Sequence, residues 1–110
     1  MPTTAQFVRA LNAMPDPSRK MKQLLRAHAK APNHVSTARK LAEKADYKSW
    51  RGMNLQYGLL GNRVGKKLGL PVADLSVLAD FIKRDKLANK EWLILMKPAF
   101  AKAVMQMPWF

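Results

Sequence analysis

Arg51, Asn54 and Gln56 fall within one six-residue stretch of the run WRGMNLQY at 50–57. A guanidinium can donate twice to guanine, and a carboxamide can pair twice with adenine. These residue types on one helix would therefore suit base edges in a DNA major groove. Further along, Arg63, Lys66 and Lys67 suit phosphate oxygens, which position a protein without specifying sequence. Upstream, Ser36, Thr37, Arg39 and Lys40 stand where a helix should begin, and helix N-termini favour phosphate. Lys48, in the intervening turn, is expected to touch the same backbone. Tyr47, Trp50 and Tyr57 lie close enough in sequence to offer rings for stacking on a sugar or an unpaired base.

Catalytic chemistry finds little material. His28 and His34 stand in different segments with no carboxylate at ligand spacing, and His28 reads as a surface or boundary residue of a basic helix. Glu43 and Asp46 more naturally balance Lys40 and Lys44 than form an acid–base pair. Neither a P-loop, a G-x-S-x-G nor an H-x-x-x-H pattern is present. With no cysteine, disulfides and cysteine-based zinc sites are excluded. No catalytic residue, metal or cofactor is expected.

The elements that must position these side chains follow from periodicity and punctuation. Thr3 or Thr4 caps a first helix carrying Phe7, Val8, Leu11 and Met14, which Pro15 and Pro17 end. Ser18 opens a second, whose Met21, Leu24, Leu25 and His28 form an apolar-leaning face among five cations; Pro32 and Asn33 close it. Ser36 or Thr37 caps a third over 37–45, with Ala38, Leu41, Ala42 and Ala45 as a small-residue stripe. Residues 46–49 make a turn, Ser49 caps a long fourth helix over 50–68, and Gly69 ends it. Gly58, Gly61 and Gly65 share one stripe of that helix. Glycine inside a helix costs about 0.5–1 kcal/mol, so close approach of another segment is the expected reason, with a break near Gly58 or Gly61 as the alternative.

After Pro71 the pattern changes. Leu75, Val77, Leu78, Phe81 and Ile82 suit a short helix, while 77–82 also reads as a strand; 83–90 reads as a polar turn and 91–96 as a strand. A hairpin with a basic tip results, in which Lys83, Arg84 and Lys86 would be phosphate contacts. Pro98 then starts a last helix with Phe100, Ala101, Val104 and Met105 inward, and Trp109 and Phe110 pack on the core.

The 110 residues suit one domain, divided into a helical pair at 1–33, a helix-turn-helix-like core at 34–70, and a hairpin with a C-terminal helix at 71–110. The formal charge is +13, with 20 Lys and Arg against seven Asp and Glu. Residues 1–70 hold fourteen bases and three acids, a net of +11, so most of any phosphate-facing surface should come from them. Met1 to Ala13 lacks the apolar core of a signal peptide. No run approaches the roughly 20 apolar residues of a membrane span, so a cytoplasmic protein is expected.

Two stretches carry a family resemblance. HVSTARKLAEKADYKSWRGMNLQYGLLG at 34–61 is similar to a pattern H-x-x-T-A-x-x-L-A followed by G-Y-K and N-L-x-Y-G-x-L-G. NKEWLILMKPAFAKAVMQMPWF at 89–110 is similar to an E-W-x-x-x-M-x-P ending. Together they resemble accessory DNA-recognition modules that accompany HNH nucleases in bacterial restriction-type proteins. The match marks Thr37, Ala38, Leu41, Ala42, Tyr47, Asn54, Tyr57 and Gly58. It departs at Ala45-Asp46, where the pattern has glycine before the tyrosine, and at Met107-Pro108. The resemblance implies binding without cleavage.

The expectation is a mostly α (α+β), helix-turn-helix or winged-helix-like domain with a short hairpin and a C-terminal helix. It would bind double-stranded DNA through Arg51, Asn54 and Gln56 at bases. The alternatives are a phage- or plasmid-type protein-interaction module acting on a nucleic-acid-processing complex, and an RNA binder.

Overall fold

Hydroxyl side chains begin four of the helices. In the computed structural model, which describes residues 1–82 and 92–110, Thr3, Ser18, Thr37 and Ser49 each accept a hydrogen bond from the backbone N–H three residues on. They cap α1 (Thr4–Asn12), α2 (Arg19–Lys30), α3 (Ala38–Lys44) and α4 (Trp50–Lys67). The last helix, α5 (Pro98–Met105), has no side-chain cap and uses proline at its start, where a missing N–H costs nothing. The expected Lys83, Arg84 and Lys86 contacts lie outside the described residues.

Helices α3 and α4 end alike. Past α3, Tyr47 N–H reaches Ala42 O and Asp46 N–H reaches Glu43 O, with Asp46 at φ 60°. Past α4, Leu70 N–H reaches Gly65 O and Gly69 N–H reaches Lys66 O, with Gly69 at φ 69°. Both are Schellman closures, in which one left-handed residue lets two donors satisfy the last carbonyls. The α3 closure places the five-residue connection that aims α4.

Three short strands form an antiparallel sheet in the order β1 (Val35–Thr37), β3 (Leu93–Met96), β2 (Ala79–Ile82). Ser36 and Phe81 flank Ile94 on either side. Along β3, Ile94 and Met96 are buried and Leu93 and Leu95 half-buried, the alternation of a sheet with one face on a core. The first strand was not foreseen, because 35–37 reads in sequence as a helix start. The 75–82 ambiguity resolves into both elements: a 3-10 turn at Leu75–Val77, then β2.

The core gathers all five α-helices of the described residues with the inner sheet face. Helices α1 and α5 meet through the edge of Phe7 on Phe100, 5.2 Å between ring centres. Phe100, Ala101 and Val104 are buried as expected, but Met105 is 41% exposed, lying on the turn of α5 that faces outward. Helix α4 runs unbroken past its glycines. A Cβ at Gly61 would overlap the Asp74 carbonyl, and one at Gly65 would lie 2.9 Å from Ala73 Cα, so both admit the 73–75 backbone. Gly58 has open space instead.

Candidate nucleic-acid interface

At the centre of the domain one buried polar triad sets where α4 sits. His28 is fully buried, with Nε2 2.9 Å from Ile94 O and Nδ1 2.8 Å from Tyr57 Oη. A carbonyl only accepts, so Nε2 carries the hydrogen and Nδ1 accepts from the Tyr57 hydroxyl. One neutral imidazole thereby ties α2, α4 and β3 together. Burial lowers the His28 pKa from its ordinary 6.5, and burial likewise raises the Tyr57 phenol. The expectation of a surface or boundary His28 is corrected, while its place on the apolar-leaning face with Met21, Leu24 and Leu25 is the inward face of α2. Tyr57, a stacking candidate from sequence, is wholly buried and offers no ring face to a base.

Outside this core, the 14–18 connection and the first residues of α2 run beside the outward face of α4. Two adjoining hollows, sharing Ser18 and Gln56, form a trough along that seam. One, of about 540 Å³, is lined by Ser18, Arg19, Lys20, Tyr47, Lys48 and Ser49, with Gly52 and Gln56. Both helix N-termini open there, and neither has an acidic residue in its first turn. The other, of about 630 Å³, continues along α4 past Leu59 and Arg63 to Lys66 and Lys67, with Met14, Pro15 and Pro17 opposite. Arg19, Lys20, Lys48, Arg63, Lys66 and Lys67 are all exposed. The acid lining the trough is Asp16, which already pairs with Lys22 at 3.6 Å. Two partial positive helix ends and six cations thus face one channel, the electrostatics of a polyanion track.

The expected residues divide accordingly. Lys48, Gln56, Arg63, Lys66 and Lys67 line the trough. Arg51 is exposed at the start of α4, its guanidinium 5.2 Å from the Trp50 ring centre. Trp50 is 43% exposed, with Arg51 over one face of its ring. Tyr47 is half-buried and has Lys20 Nζ 5.3 Å from its ring centre, so one ring face is taken. Arg39 and Lys40 are exposed in the first turn of α3, outside the trough lining.

Three further assignments are corrected. Asn54 lies on the flank of α4, half-buried, with Oδ1 enclosed and unpartnered among the described residues, so its amide is not presented for two-point pairing with adenine. Thr37 is 6% exposed and its hydroxyl is occupied by the Lys40 N–H. Ser36 is half-buried in β1, where its hydroxyl donates to Thr37 O at 3.4 Å, so neither hydroxyl stands free at a helix start. Arg19 and Lys20 also line the trough, though the sequence reading did not single them out. Their signal was a serine cap followed directly by two cations, but only the fold brings that cap beside Ser49.

Among the described residues no group of His, Asp and Glu is arranged to hold a metal ion, and no helix is long and apolar enough to cross a membrane. Compared with protein-family models, curated proteins and solved structures, the chain matches none.

Proposed function

We propose that this chain is a non-catalytic module that binds double-stranded DNA, with α4 in the major groove and the trough along one phosphate strand. The carrying observation is the convergence of the α2 and α4 N-termini with six exposed cations beside the outward face of α4. Connectivity supports it. Helix α3, a tight Schellman turn and α4 follow β1, which pairs with the second strand of a later hairpin, the order of a winged helix. The family resemblance of 34–61 and 89–110 points the same way.

Roles follow from position. Arg51 and Gln56, exposed in the N-terminal half of α4, are the base-edge donors, and Trp50 packs on a sugar. Arg19, Lys20, Lys48, Arg63, Lys66 and Lys67 hold phosphates, each releasing a counterion. Six such contacts give a log–log salt slope of about −5, a loss of about 10³-fold in affinity between 50 and 200 mM salt. Fluorescence anisotropy with duplex DNA, single-stranded DNA and structured RNA at those two concentrations tests the reading. Duplex preference with that slope supports it. Absence of binding at 50 mM salt refutes it and leaves the charge to a protein partner, while stronger binding to RNA replaces DNA with RNA. Lys66→Ala should weaken all duplexes alike and reduce the slope by about 1, whereas Gln56→Ala should weaken a preferred sequence selectively.

A further inference from the structure

The outward face of α4 is not uniformly polar. At 100° per residue, the arc left exposed between Arg51 and Lys67 is centred near Leu59, with Leu55 and Lys66 beside it and Arg51 and Gln56 towards its edges. Leu55 is 62% exposed and Leu59 43%. They stand one turn apart, so their side chains are neighbours. The other exposed residues of that arc are glycine, polar or charged, and Gly52, one turn earlier, interposes no side chain. Single exposed leucines need no explanation, but a pair at the middle of the face that would meet base edges is a different matter. The major groove offers such a pair one apolar feature, the 5-methyl group of a pyrimidine.

We infer that Leu55 and Leu59 form a methyl-reading strip, which selects a 5-methylpyrimidine next to the guanine contacted by Arg51. Arg51 and Leu55 are also one turn apart, a spacing that sets them against neighbouring base pairs. The inference rests on the DNA reading above and adds the group that is read. Thymine and 5-methylcytosine both carry this methyl, and the test separates them.

A preferred duplex is first selected from a random-sequence pool with the full chain. Affinity is then measured by anisotropy for that duplex, for the same duplex with uracil replacing thymine, and for one with 5-methylcytosine replacing cytosine. Loss of one buried methyl should weaken binding about 4-fold. Weakening by uracil assigns thymine; tightening by cytosine methylation assigns 5-methylcytosine. In either case the Leu55→Ala, Leu59→Ala double variant, altered only at exposed positions, should bind methylated and unmethylated duplexes equally. Indifference of the parent chain to both changes overturns the inference, as does full methyl sensitivity in the double variant. DNA binding that persists in those cases leaves the broader reading standing, while failure to bind any duplex removes both.

Discussion

Replacing Tyr57 with phenylalanine deletes one oxygen from the interior and keeps the ring. That oxygen is the donor to His28 Nδ1 at 2.8 Å, and both side chains are wholly buried, so no water replaces it. A buried acceptor left without a partner costs about 1–3 kcal/mol. For 110 residues the unfolding entropy is about 230 cal/mol/K, so a loss of about 2 kcal/mol lowers Tm by about 8–9 °C. Thermal melting followed by circular dichroism at pH 7.5 measures it. The cycle is completed with His28→Leu, in which the Tyr57 hydroxyl is the unpartnered group. Adding Tyr57→Phe there should be neutral or stabilising, giving a coupling of about 2 kcal/mol or more. A Tm within 2 °C of the parent (about 0.5 kcal/mol), or an undiminished loss in the His28→Leu background, would refute the triad as a source of stability.

Acid should weaken the fold through the same imidazole. With the folded pKa of His28 below 6.5, the unfolded chain binds more protons between the two values, so His28's contribution is complete above pH 6.5 and is lost as pH falls through the folded pKa. Melting at pH 7.5, 6.5 and 5.5 should show Tm falling, with a shallower fall in His28→Leu; equal slopes would remove His28 as the cause. Gly61→Ala should destabilise by about 2–3 kcal/mol because its methyl overlaps the Asp74 carbonyl, whereas Gly58→Ala, with open space, should stabilise by about 0.5–1 kcal/mol in urea titration. Asp46→Gly, relieving a left-handed aspartate at φ 60°, should add about 0.5–1 kcal/mol in the same titration, and an unchanged midpoint would show the aspartate to be unstrained.

Local signals were legible where neighbours in sequence decide the outcome. Ser18, Thr37 and Ser49 are caps because a hydroxyl before a helical run has few better uses, and Gly69 stops α4 because only glycine adopts its φ without cost. Pro98 marks its helix for the same kind of reason. Legibility fails where the partner is distant. Nothing near Val35–Thr37 announces a strand, because its mates are 93–95, nearly sixty residues on. His28 reads as polar until Ile94 O and Tyr57 Oη surround it. The candidate interface divides in the same way. Lys66 and Lys67 are exposed wherever α4 packs, but whether Asn54 or Gln56 faces outward depends on which flank of α4 receives the 73–75 backbone, and that is set by Gly61 and Gly65.

The caps of α2 and α4 carry a consequence for how the protein can change. A serine hydroxyl satisfies an N-terminal donor without bringing charge, whereas aspartate would do so and also oppose the helix dipole. Ser18→Asp and Ser49→Asp are therefore routes to a more heat-resistant chain. Each would also set a carboxylate in the trough among Arg19, Lys20 and Lys48, and on the proposed reading each would repel the phosphates collected there. Thermal resistance and grip on a polyanion pull these two positions in opposite directions. Selection for a more robust fold alone would blunt the surface, and serine is the residue that leaves both within reach.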